Sequence, residues 1–350
     1  MSILVYITVS GDDLIRIYRM DRDGQLQHRH DVPAIGGPSA LADSPDGRTL
    51  YCSLRASNEL AAFRIEQEGG LHVLGKRQVD ADACYLAPDK TGRFLMSAYY
   101  RAGKAMVHLI ESDGSIGEEL CNVPTAARAH CIETDESNRY ALVPHPLDAN
   151  SIFLFQFDEK TGQLSPNPSA PRVVAADGLG PRHFVFSLDQ RFVYTSDEDA
   201  SSVTAYYFDR PGDVQTQSSQ NGCTLRPFQT ISSLPEGFAG ANTTAQIHLH
   251  PNGRTLYVTN RGHESIAIFS LDPGSGAIEM QGWQSTEAVP RVFNVDPEGR
   301  FLLAAGQGTG NAAVYSIEPE SGLLSNLNAY EVGKQPMWVL FRQQRVQEVG

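Results

Sequence analysis

His130, Arg182, Glu198 and Arg261 are the residues whose types and positions could do chemistry together. An imidazole or a carboxylate takes a proton from water when its pKa suits the task. An arginine fork binds carboxylate or phosphate in bidentate fashion. Two arginines, one carboxylate and one imidazole facing one opening would suit an anionic ester attacked by water. Arg55, Tyr100, His183, Asn260, Arg291 and Gln307 are the candidates for holding such a substrate. These residues are scattered along the chain, so the elements that gather them must come from a fold that returns repeatedly to one place.

A repeat supplies that fold. A turn, a strand, a polar loop, a second strand and an acidic turn ending in Gly recur from Ile3 onward and again after Arg48, Arg93, Arg139, Arg191, Arg254 and Arg300. The copies are about 45–60 residues apart, near the period of propeller blades built as four-stranded sheets. Their runs alternate β-branched or aromatic residues with small or polar ones, and Pro-Asp-Gly, Pro-Asn-Gly and Pro-Glu-Gly turns break them. The expected fold is all-β: one seven-bladed β-propeller domain spanning 1–350. The first copy lacks an inner strand, and the segment from Gly333 to Phe341 resembles one, so pairing of the terminal strands is expected to close the ring and remove an exposed edge. Residues 209–245, rich in Ser, Gln and Gly, read as a long loop insertion.

The repeat also serves as a ruler. Seven residues after the turn arginine, where the second strand ends, stand Arg55, Tyr100, Pro146, Glu198, Arg261 and Gln307. Nine residues before it, where the innermost strand begins, stand Ser39, His130, Arg182, Ala245 and Arg291, with Asp82 in blade three after allowing for a longer turn. The two strands are antiparallel, so both sets should ring one mouth of the central channel. Residue type changes from blade to blade in these rings, unlike the turn Arg and Gly, as expected of a site rather than of scaffolding. Asn260 and His183 are adjacent in sequence to two ring residues.

Other features read as structural. His248 and His250 share a strand face, but no third ligand stands at a matching spacing, so no metal site is expected. Gly306 to Gly310 lacks the lysine and helix of a phosphate loop. Asp197-Glu198-Asp199 has the composition of a calcium turn, but such turns usually bind nothing. No Gly-x-Ser-x-Gly elbow of a serine hydrolase is present. Five cysteines without a CxxC pair, no apolar run of membrane-spanning length and no signal-peptide pattern point to a cytoplasmic protein. A net charge of −13 disfavours nucleic acid as a partner.

Gly180-Pro181-Arg182-His183-Phe184, Gln246-Ile247-His248, Pro290-Arg291-Val292-Phe293-Asn294 and Gln335-Pro336-Met337-Trp338 resemble signatures of the propeller lactonase family over essentially the whole chain. The resemblance implies a cofactor-free, metal-independent site at the channel mouth, with a His, two Arg and a Glu that fall on His130, Arg182, Glu198 and Arg261. Chain and family differ at Cys131 after His130 and at Cys84-Tyr85, where a His is common in sugar-phosphate members. The expected activity is hydrolysis of a small anionic lactone, 6-phosphogluconolactone first. Lactonization of a carboxymuconate is the alternative, and a non-catalytic interaction scaffold is the reading from a different class.

Overall fold

A computed structural model describes residues 3–212 and 222–343. Seven antiparallel sheets stand in sequence order around a central channel. Six of them have four strands. The innermost strand of blade one is Pro336–Gln343, paired antiparallel to Ile3–Val9, so the two ends of the described chain close the ring in one sheet. Apolar residues fill the spaces between neighbouring blades. Ile3, Val5, Ile7 and Val9 of blade one, for example, pack against Leu303 and Val314 of blade seven.

The turn before each repeated arginine is built the same way in most blades. The residue four positions earlier accepts backbone N–H groups from the far side: Asp89 Oδ1 takes those of Arg93 and Phe94, and Asp135 Oδ1 those of Arg139 and Tyr140. Gly47, Gly92, Gly253 and Gly299 stand before their arginines at φ near +70°, where a side chain would be strained.

Two regions differ from expectation. Blade four has a fifth strand, because Gln163–Pro166 and Arg172–Val174 share the edge of Ser151–Asp158. Pro168 and Pro171 lie between them and cannot donate to a continuous ladder. In the 209–245 segment, expected to be loop, Thr224–Ser232 forms the outermost strand of blade five against Ser202–Asp209. Its pattern escapes a search for alternation because Leu225 is its one buried residue and a bulge interrupts its register. Residues 213–221 of that segment lie outside the described residues.

One irregularity recurs and sets up the channel mouth. Near the start of the innermost strands the ladder slips by one residue, leaving Arg182, Arg291, Cys84 and Met337 as extra residues opposite a regular partner strand. Blades two and six slip at the same place, at Ser39–Ala40 and Ala245–Gln246. A bulge re-aims side chains and frees a backbone N–H from the ladder. A hydroxyl on the neighbouring strand takes up that N–H: Ser53 from Ala40, Ser196 from His183 and Thr259 from Gln246. Ser196 Oγ also donates to Ala245 O of the next blade at 2.8 Å, and Thr8 Oγ1 donates to Ser39 O likewise. In blade four the inner strand shortens to Glu133–Thr134, because Pro144 opposite has no N–H to give. His130 is held there by its own N–H to Pro144 O at 3.1 Å.

Candidate functional site: the arginine-lined mouth of the channel

Glu198, just past the strand Phe192–Asp197, joins two guanidinium groups. Its Oε1 accepts from Arg261 Nη2 at 2.5 Å, and its Oε2 lies 3.2 Å from Arg182 Nε. The second contact is an ion pair by distance but is not aligned as a hydrogen bond, so Arg182 Nε and Nη1 and Glu198 Oε2 are buried without hydrogen-bond partners among the described residues. Arg182 is 1 % exposed. Burial pushes its guanidinium down to about 9, which leaves it charged at neutral pH. For Glu198 burial favours the neutral acid, but Arg182 and Arg261 outweigh it and hold the carboxyl below its ordinary value. Arg261 Nη2 donates also to Thr244 O at 2.8 Å, which fixes the head of that side chain.

Arg291, the bulged residue of blade seven, has no ion pair with any described residue. Burial, and then the neighbouring charges of Arg261 and Arg55, bring it down to about 10. Arg55 is committed to Asp82, with Nη2 2.6 Å and Nε 3.2 Å from Asp82 Oδ2. Those two line a cavity of about 580 Å³ together with Arg101, Gln307, Gln335 and Met337. That volume falls in the range of small-ligand sites. Gln307 donates weakly to Met337 Sδ at 3.5 Å.

His130 is buried on the same channel. Its Nδ1 lies 3.1 Å from His183 Nε2, Tyr100 stands edge-on at 5.4 Å, and Nε2 has no partner among the described residues. Burial, Arg182 and His183 together hold its pKa well below the ordinary histidine value, so it is neutral. The same burial and the same arginine do this to His183. Below His183 the channel is filled by aromatic rings, Tyr85 edge-on at 5.3 Å and Trp338 edge-on to Tyr85 at 5.4 Å.

The fold thus gathers His130, Arg182, Glu198, Arg261, Arg291, His183 and Tyr100 at one mouth, with Arg55 and Gln307 on the adjoining cavity wall. Asn260 does not join them. It is fully buried, and its amide bonds Ser233 and Ser265, donating to Ser233 O at 2.9 Å and accepting from Ser233 Oγ at 2.7 Å. Next to Arg261 on a regular strand, it faces the opposite way and pins a loop. Tyr85 and Trp338 belong to the site's floor and were not among the sequence candidates. They hold the position occupied by His183 in blade five, one residue past the bulge, and that register is the signal that would have found them.

The remaining suggestive motifs resolve as scaffold. His250 Nδ1 accepts from Asn252 N and its Nε2 pairs with Gly299 O, while His248 packs on Phe293. Asp197 accepts from Thr195, Ser202 and Thr204. Among the described residues no three His, Cys, Asp or Glu side chains converge as a metal-ligating group. No helix of the described residues is long and apolar enough to cross a membrane.

Residues 5–341 match the family model described as "Lactonase, 7-bladed beta-propeller". The chain is 33 % identical over 340 residues to a 6-phosphogluconolactonase of Erwinia tasmaniensis, covering 97 % of this chain and 98 % of the relative. It is 32 % identical over 342 residues to that of Yersinia pestis, covering 98 % of each. Among solved structures, the periplasmic gluconolactonase of Pseudomonas aeruginosa superposes with a TM-score of 0.88 at 26 % identity, covering 97 % of this chain and 99 % of that one. A protein from Lactobacillus plantarum shares the fold, with a TM-score of 0.86 at 24 % identity over 98 % of this chain and all of its own.

Proposed function

This chain belongs to the seven-bladed β-propeller lactonase family, and from that membership we propose that it hydrolyses 6-phosphogluconolactone at the arginine-lined mouth. The observation that carries the reading is Glu198 clamped between Arg182 and Arg261, with a neutral histidine whose Nε2 has no partner, and an arginine with no ion pair, among the described residues at the same opening. Both relatives cited at above 30 % identity carry the name of that lactonase.

Each residue has a role that follows from its surroundings. Glu198 is tied up by two cations and held below its usual pKa, which makes it a poor base. It serves to hold the guanidinium groups in place. His130 takes a proton from the attacking water through Nε2. Arg182 offers its unpartnered Nη1 to the oxyanion that forms on the lactone carbonyl, a contribution typically worth about 3 kcal/mol. The proton returns to the ring oxygen as the C–O bond breaks. Arg291, lacking a counter-ion, binds the phosphate. Lactones of this class open unaided in water, so a site of this kind needs to supply only modest acceleration. We assign the protein to the cytoplasm because its five cysteines are all free and buried.

The test is loss of 6-phosphogluconolactone above its spontaneous rate, with chelator present, compared with glucono-δ-lactone. Wild type should accelerate the phosphorylated lactone more. Glu198→Ala should abolish the acceleration, and Arg291→Met should lose the preference for phosphate while still opening the plain lactone. Acceleration of the plain lactone alone would remove the phosphate reading. No acceleration of either by folded protein would remove the lactonase reading and favour a non-catalytic role.

A further inference from the structure

His130 and His183 meet nitrogen to nitrogen, Nδ1 to Nε2 at 3.1 Å, with ring centroids 4.9 Å apart. Each residue is 5 % exposed. Between two neutral imidazoles in such contact there is room for one proton: two would collide, and none would leave lone pairs facing each other. The tautomer of one ring therefore dictates that of the other. His183 is not free to turn away, since its backbone N–H anchors the strand to Ser196 Oγ and its ring is packed against Tyr85 and Trp338. The bulge at Arg182 is what brings it here, because it lets two consecutive side chains, Arg182 and His183, both reach the channel.

Electrostatics chooses between the two arrangements. A neutral imidazole is negative at its bare nitrogen and positive at its N–H. The mouth carries Arg182, Arg261 and Arg291 against Glu198, while Asp82 on the adjoining wall is matched by Arg55. Facing that mouth with a bare Nε2 is favourable, and facing it with an N–H is not. The proton of His130 then resides on Nδ1 and is donated to His183 Nε2, and His183 keeps its own proton on Nδ1. An unconstrained histidine prefers the opposite form, protonated on Nε2, which could not act as a base towards the mouth.

We propose that His183 is a positioning residue: by accepting the Nδ1 proton of His130 it locks that ring in the tautomer whose bare Nε2 can take a proton from water. The proposal rests on the reading of His130 as the base. In the step, the water O–H bond breaks, an N–H bond forms at Nε2, and the water oxygen bonds to the lactone carbonyl carbon. The resulting imidazolium is steadied by its N–H to His183 until the proton passes to the departing ring oxygen.

The tautomer can be read without substrate, by 15N NMR of protein labelled at the histidine rings. Wild-type His130 should show a protonated Nδ1 and a bare Nε2 at neutral pH. In His183→Phe, which keeps a ring in the stack, His130 should shift towards the Nε2–H form, and kcat should fall at least about tenfold with KM little changed. His183→Gln, whose side-chain carbonyl can accept the same N–H, should restore the Nδ1–H form and part of kcat. A wild-type His130 protonated on Nε2 would overturn the proposal. So would a wild-type tautomer in His183→Phe, or a His183→Phe enzyme that loses only thermal stability. If the tautomer is as stated but no lactone is turned over, the positioning stands and the functional reading falls.

Discussion

At the scale of single residues, the neutrality of His130 and the charge of Arg182 set a working pH range. As the proposed base, His130 must be unprotonated, and its pKa is held well below the ordinary value, so kcat/KM should stay level as pH falls through 6.5. It should decline only well below that. On the alkaline side it should drop as Arg182 loses its proton near 9. Initial rates corrected for spontaneous hydrolysis would show this, and an acid limb at 6.5 or above would exclude a buried neutral His130 as the base. Sequence spacing placed His130, Arg182, Glu198 and Arg261 around the mouth because the repeat arginine counts residues reliably along regular strands. It treated the two neighbours alike, yet Asn260 obeys strand alternation and points away, while His183 escapes it through the bulge. A one-residue slip in register leaves no mark in composition, so nothing in the chain distinguished them.

At the scale of elements, the bulge and its hydroxyl form a unit that ties neighbouring blades at the mouth. Ser196 is fully buried, accepts the His183 N–H and donates to Ala245 O of the next blade. Ser196→Ala would leave both groups without that partner, at a cost of about 1–3 kcal/mol, and would loosen Arg182 and His183 together. Urea denaturation should show the lower midpoint at unchanged slope, and kcat should fall, while Ser196→Thr should behave nearly as wild type. Unchanged stability in the alanine variant would show that the hydroxyl is dispensable. The strands themselves were legible from alternation and turn chemistry. The outermost strand Thr224–Ser232 was not, since outer strands carry too little burial to impose a pattern, and the broken edge of blade four depends on two prolines whose effect is felt only once a ladder exists.

At the scale of the whole molecule, buried histidines make stability depend on pH. His108, His145 and His248 are each brought down to about 4 by burial, and His130 and His183 also lie well below their ordinary value. Below about 6.5 the unfolded chain binds protons that the folded protein refuses. Their contribution is therefore complete above 6.5 and is lost as pH falls towards 4 and beyond. Asp197, raised to about 6 by burial, acts in the opposite sense, as do Asp43, Glu133, Asp199 and Asp296, which burial also raises, but of these only Asp197 is shifted far. The melting temperature should fall steadily between pH 7 and 4.5, and a melting temperature that is flat or rises over that range would contradict the neutral, buried state of these rings.

The closing strand carries one more consequence. Ile3–Val9 finds its inner partner in Pro336–Gln343, at the far end of the described chain, whereas every other blade is assembled from neighbouring segments. Six sheets can therefore form by local search, but the first cannot be finished until its most distant segment arrives, and contacts of such sequence separation are the slow ones. Refolding should pass through an open arc that already holds Glu198, Arg182 and Arg261 in adjacent blades, and whose last event is a latch. The time needed to recover the native ring is then set by that latch rather than by the assembly of the site.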